Sequence, residues 1–126
     1  MSLDSTRTIA HSPGRLADQS GLPEKAIVAL QDVFRSHPRV REVTLYGSRA
    51  MGTFRNGSDI DLTIHGREID WQELLDIEQE IDDLLLPWKT DLSLYDQIDN
   101  ESLREHIQRV GVCFWEREQS EGSDQA

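Results

Sequence analysis

The sequence predicts an α/β domain, a small mixed β-sheet flanked by helices, and three observations carry that prediction. Segments with apolar residues every three or four positions alternate with segments whose apolar residues recur at every second position. Proline and glycine punctuate most of the junctions between them. The 126 residues provide for one domain and one core.

Residues Met1 to Gly21 mix Ser, Thr, Asp, Gly and Pro with few large apolar side chains, so residues 1–22 read as a flexible N-terminal arm, or as a segment that orders only on a partner. Pro23 sits where a first helical residue is welcome, and Ile27, Leu30, Val33 and Phe34 continue as one apolar face until Pro38 stops the helix. From Val40 the period becomes two: Val43 and Leu45 face one way, Thr44 and Tyr46 the other, which predicts a strand. Gly47-Ser48 ends it, a short helix is expected over Arg49 to Thr53, and Asn56-Gly57-Ser58 forms a turn. Asp59 to His65 is a second strand, with Ile60, Leu62 and Ile64 on its apolar face. Trp71, Leu74, Leu75, Glu78, Ile81, Leu84 and Leu85 carry a helical period ended by Pro87. Thr90 to Tyr95 is a third strand with Leu92 and Leu94 together. Asn100 caps a last helix with Leu103, Ile107 and Val110 inward, closed by Gly111. Val112 to Trp115 forms a final strand, so the domain runs over residues 23–116 and residues 117–126 form a flexible tail.

Composition excludes several classes. The formal charge of −11 is concentrated between Glu68 and Glu105, opposed there only by Lys89 and Arg104. Duplex binding draws most of its affinity from neutralising phosphates, so direct nucleic-acid binding is not expected. An acidic surface serves solubility or draws a basic partner. No apolar run reaches the roughly 20 residues that span a bilayer, and no basic-then-apolar leader opens the chain, so no membrane contact and a cytoplasmic location are expected. The single Cys113, among Val112, Phe114 and Trp115, reads as a small core residue in a reducing compartment.

The chemistry lies in the stretch from Leu45 to Leu62. Asp59 and Asp61, two apart on a strand, project from one face about 7 Å apart, while Ile60 and Leu62 point to the core. Two ionised carboxylates on one face repel unless a cation lies between them. Mg²⁺ suits them, because it takes hard oxygen ligands and is usually held by one or two carboxylates plus substrate phosphates. Asp91 opens the third strand with Leu92 and Leu94 facing away, and it joins the same face if the strands pair. Three carboxylates on adjacent strands suit a two-metal phosphoryl or nucleotidyl transfer: one ion activates the incoming hydroxyl, the other steadies the triphosphate. Gly47-Ser48 supplies the phosphate end: glycine admits close backbone approach, the following N–H groups point at the anion, and the Ser48 hydroxyl adds a donor. Arg49 and Arg55 stand ready to neutralise charge that Mg²⁺ leaves uncovered.

These residues resemble the signature of the nucleotidyltransferase superfamily related to DNA polymerase β, Gly-Ser, ten residues, then Asp-x-Asp, with Asp91 matching the third carboxylate. Within it the chain resembles the minimal nucleotidyltransferases, or MNT proteins, whose pattern Gly-Ser-Arg-Ala-Arg-Gly followed by Ser-Asp-Ile-Asp-Leu is nearly reproduced. Met51 departs from the second arginine of that pattern, while Gly52 and Arg55 are retained, and the likeness spans Glu24 to Glu116. The resemblance implies a polymerase β-like core and an ATP- and Mg²⁺-dependent transferase. Asp59, Asp61 and Asp91 would be its catalytic and metal residues, and Gly47, Ser48, Arg49 and Arg55 its nucleotide-binding residues. It also implies a HEPN-type toxin as partner, adenylylated on a tyrosine.

Two other readings stay open: a module that neutralises its partner by occlusion alone, and a transferase for a small acceptor. Roughly ten residues follow Trp115, so the acceptor is expected to be small or to bring its own binding surface. Self-association is also open. Among the remaining polar residues, His65 reads as a solvated strand end, His37 and His106 as surface residues. Trp71, Trp88 and Trp115 read as core or partner contacts, and Tyr46 and Tyr95 share faces with the site.

Overall fold

A computed structural model describes residues 12–118. Helix α1 spans Pro13–Ser20 and α2 spans Glu24–Arg35. Strand β1 (Val40–Tyr46) leads into the four-residue helix α3 (Ser48–Met51). Strand β2 (Ile60–Gly66), helix α4 (Trp71–Asp82) and strand β3 (Thr90–Leu94) form a parallel crossover. A 3₁₀ turn at Tyr95–Gln97, helix α5 (Glu101–Val110) and strand β4 (Val112–Glu116) complete the chain. The sheet order is β3-β2-β1-β4, with β1 antiparallel to both neighbours and β2 parallel to β3. The sheet is therefore mixed, as its sequence pattern implied.

One face of the sheet is the core. Val43, Leu45, Ile60, Leu62, Ile64, Leu92 and Leu94 are buried there with Ile27, Leu30 and Phe34 of α2 and Leu74, Ile77 and Ile81 of α4. Each such side chain, fully buried, contributes roughly 1.5–3 kcal/mol. Val40 joins this core although it lies three residues from Val43, because the pairing with β2 shifts register between Val40 and Glu42. The extra residue of that bulge flips the alternation. Helices begin where short polar side chains satisfy their first N–H groups: Asp70 accepts from the Glu73 N–H at 2.9 Å and Asn100 from the Leu103 N–H at 3.1 Å.

Three expectations are corrected here. The N-terminal segment is not a loose arm over its described part. Pro13–Ser20 is helical, begun by the Ser12 side chain and ended by Gly21 at φ 74°, and Leu16 and Leu22 sit in the core. Residues 1–11, the first half of the expected arm, lie outside the described residues, as do residues 119–126 of the expected tail. Helix α4 stops at Asp82 rather than running to Pro87, and Leu85 turns out to solvent at φ 56°. His37 is not a simple surface residue: its ring is only 12% exposed and bridges Glu73 Oε2 at 2.9 Å and Glu80 Oε1 at 3.1 Å, joining the end of α2 to α4. Burial opposes its charge, but hydrogen bonds to Glu73 and Glu80 outweigh that and hold the imidazole above its usual pKa.

Candidate active site

The second face of the sheet carries polar residues in register. Tyr46 of β1 stands opposite Asp61 of β2, and Asp61 opposite Asp91 of β3. The next row is Thr44, Thr63 and Ser93. Parallel pairing of β2 with β3 thus sets Asp61 and Asp91 side by side. Asp59 lies just before β2, which begins at Ile60 rather than at Asp59, and it is exposed, as is Asp91, while Asp61 is half-buried. Burial, then the charges of Asp91 and Asp59, lift the Asp61 carboxyl above the usual carboxylate range, with His106 acting the other way. That is the electrostatic mark of three like charges converging.

The Gly47-Ser48 turn closes one end of this row. Gly47 adopts φ 77°, ψ −159°, a conformation essentially restricted to glycine. A Cβ on it would lie 2.3 Å from Asp61 Oδ2, so the carboxylate rests against the bare Cα. The Ala50 and Met51 N–H groups both donate to the Gly47 carbonyl at 3.1 Å, starting α3. Ser48, first in α3 and next to Gly47, is half-exposed, and Arg55 is exposed on the loop between α3 and β2.

Arg49 is a correction. It was expected at the phosphates, but its side chain is 2% exposed and turned into the protein. Its guanidinium donates to the carbonyls of Ser20, Ser58 and Asn56 at 2.7, 3.1 and 3.3 Å. Burial also lowers its pKa. Backbone carbonyls supplied by a folded loop leave no trace in sequence spacing, which is why the role was not legible.

Helix α5 covers part of the polar face. His106 meets the Tyr46 ring edge-on at 6.2 Å, so it is not the plain surface residue expected. Tyr46 is buried; burial raises its phenol, a hydrogen bond from the Ser93 side opposes this, and the charges of Asp61 and Asp91 add to the rise. His65, expected as a solvated strand end, stacks on Tyr95 at 4.7 Å and shares a 3.0 Å hydrogen bond with Thr44 Oγ1. Burial lowers its pKa against the charges of Glu42 and Asp96. It supports the face from within. On the outer edge of β3, a cleft of about 350 Å³ lies between α4 and the strand, with Asp91, Trp88, Lys89, Glu78 and Asp82 among its walls.

Could this set hold a metal? The donors are all hard carboxylate oxygens, and the crowding of Asp91 and Asp59 on Asp61 is what a divalent cation relieves. Among the described residues, no group of three or more His, Cys, Asp or Glu side chains is placed to hold a metal ion by itself. By the chemistry of their donors alone, one or two of these carboxylates suit an ion held together with substrate phosphates, the usual arrangement for Mg²⁺.

Comparison with known proteins gives consistent findings. The family model described as Polymerase beta, Nucleotidyltransferase matches residues 29–120. No curated relative matches the sequence. Among solved structures, a chain of a toxin–antitoxin crystal structure with AMP-PNP superposes with a TM-score of 0.60 at 22% identity, over 82% of this chain and 79% of that one. A chain from a complex of tri-AMPylated Shewanella oneidensis HEPN toxin with MNT antitoxin gives 0.57 at 16% identity, over 81% and 76%. The toxin–antitoxin MntA–HepT gives 0.56 at 16%, over 81% and 77%. At these identities the likeness establishes the fold alone. No helix among the described residues is long and apolar enough to cross a membrane.

Proposed function

The chain belongs to the polymerase beta nucleotidyltransferase family, and from that premise we propose that it transfers AMP from ATP, with Mg²⁺, onto a tyrosine of a HEPN-type toxin and so neutralises it. One observation carries the reading: Asp61 faces Asp91 across paired strands, crowded by Asp59, with its Oδ2 against the Cβ-free surface of Gly47 in the Gly-Ser turn. Phosphate-accepting turn and carboxylate row are thereby one continuous surface. The choice of partner and acceptor is supported by the similar folds found with an ATP analogue and with an AMPylated HEPN toxin.

On this reading the turn at Gly47-Ser48 binds the triphosphate through backbone N–H groups and the Ser48 hydroxyl. Arg55 neutralises charge from the exposed side, and Arg49 takes no direct part. Asp59, Asp61 and Asp91 would hold Mg²⁺, which when bound supplies charge neutralisation at the phosphates and acidifies the acceptor hydroxyl. The acceptor oxygen forms a bond to the α-phosphorus while the bond to the bridging oxygen of the β-phosphate breaks, and pyrophosphate leaves with that electron pair. The hydroxyl proton passes to a carboxylate oxygen of the exposed Asp91. Docking of the partner brings the tyrosine oxygen within about 3–3.5 Å of the phosphorus, in line with the leaving group.

Calorimetric titration with ATP tests the nucleotide half. Affinity is expected to fall by about tenfold or more when Mg²⁺ is replaced by EDTA, because the triphosphate then meets three carboxylates unscreened. Equal affinity in EDTA contradicts the metal-dependent site.

A further inference from the structure

We propose that Arg49 is the positioning residue of this site and that α1 is the strap that keeps it in place. The proposal rests on the transferase reading for its nucleotide readout, while its structural readout stands independently.

A buried guanidinium must find acceptors for its five N–H donors or cost several kcal/mol. Arg49 finds four backbone carbonyls. Three belong to the loop between α3 and β2: Nε donates to Ser58 O at 3.1 Å, and Nη2 to Asn56 O at 3.3 Å and Arg55 O at 3.5 Å. The fourth, Ser20 O, accepts from Nη1 at 2.7 Å and ends α1. The cationic plane also lies over the rings of Phe54 at 5.2 Å and Trp88 at 5.8 Å.

The consequence follows from connectivity. The Ser58 carbonyl and the Asp59 N–H belong to one planar peptide unit, so the bond from Arg49 orients the backbone from which Asp59 projects. The bonds to Arg55 O and Asn56 O fix the stretch carrying the exposed Arg55 side chain. Arg49 itself adjoins Ser48 on α3. One side chain therefore ties the phosphate turn to the loop that delivers Asp59 and Arg55.

Helix α1 closes the arrangement. Beyond the Ser20 carbonyl, Gln19 Nε2 donates to Ala50 O at 2.6 Å, gripping α3 directly. Gly21 packs against Phe54 so closely that a Cβ there would lie 2.3 Å from the ring. Trp88 completes the frame by donating from Nε1 to Asn56 O at 3.2 Å. The strap lies N-terminal to residues 29–120, the part matched by the family.

Arg49→Lys in the full-length chain tests this: it keeps the charge but cannot reach four separated carbonyls. Amide hydrogen exchange well below the melting temperature is expected to accelerate at residues 53–59 by about tenfold or more, with the amides of β1 and β2 unchanged. Calorimetry should give an affinity for ATP with Mg²⁺ about tenfold weaker. If Arg49→Lys does not fold, Arg49→Gln, which buries no charge, replaces it with the same expectations. Gln19→Ala should accelerate exchange in α3 and the same loop to a lesser degree. A merely structural role would accelerate exchange throughout the core and leave the affinity of the folded fraction untouched. That result, or wild-type exchange at 53–59, overturns the positioning role, and wild-type exchange in Gln19→Ala overturns the strap. Should wild-type protein bind no ATP, the transferase reading fails while the exchange data still decide the tie.

Discussion

Replacing Asp59 and Asp61 together by Asn is expected to lower AMP transfer by about a thousandfold or more while raising the melting temperature of the protein without metal. The two effects share one cause. Asp61 is held above the usual carboxylate range by burial and by the charges of Asp91 and Asp59, so its ionised form opposes folding. The sign is that of a carboxyl whose folded pKa is raised. The cost is absent below the unfolded value near 3.8, grows as pH rises through the higher folded value, and is fully present at neutral pH. The variant should therefore melt above the parent at pH 7, and the gap should close on acidification. Asn keeps the shape but cannot supply the anionic ligands that stabilise transition-state charge, an effect of several kcal/mol. A fall in melting temperature at pH 7 would mark these residues as structural.

The part of the site that this variant probes was largely legible in the sequence, and the reasons are physical. The alternation Ile60, Asp61, Leu62, Thr63, Ile64 allows one register with the core, which sends Asp61 outward whatever its neighbours do. Leu92 and Leu94 do the same for Asp91, although the parallel pairing that faces it to Asp61 is set by the crossover through α4 and not by any local pattern. What was not legible depends on backbone groups or on sparse signals. Helix α1 offers only Leu16 as a large buried apolar residue, with Leu22 after its cap, too little for a period to emerge. Arg49 reads as a phosphate ligand because arginines beside a Gly-Ser turn are expected to face anions, yet its partners are the carbonyls of Ser20, Arg55, Asn56 and Ser58. His65 and His106 gained their settings from Tyr95 and Tyr46, which are distant in sequence or on another element.

Gly47→Ala is the second large effect expected, and it acts through geometry rather than charge. At φ 77°, ψ −159° an alanine costs about 1–3 kcal/mol, which for a domain of this size lowers the melting temperature by about 5–15 °C. The new methyl would also fall 2.3 Å from Asp61 Oδ2, so the carboxylate must move. A displacement near 1 Å at a reacting centre costs about a hundredfold in rate. Transfer by the folded variant, measured below its melting temperature, should fall to that extent. Gly52→Ala is the control: at φ 78°, ψ 12° it lies in the left-handed helical region, where an alanine costs less than at Gly47, and a Cβ there meets nothing within 4 Å, so transfer should persist. Equal loss of transfer in both variants would mean that backbone strain alone, and not the contact with Asp61, sets the effect.

On the proposed reading, the carboxylate row and the Gly-Ser turn together transfer AMP to a protein acceptor. Intact-mass spectrometry of a HEPN-type toxin incubated with this protein, ATP and Mg²⁺ tests it most directly. The expected result is a rise in toxin mass in steps of one AMP, mapped to tyrosine, and absent with the Asp59→Asn/Asp61→Asn variant. A toxin neutralised equally by parent and variant, with no added mass, would contradict the claim and assign neutralisation to occlusion.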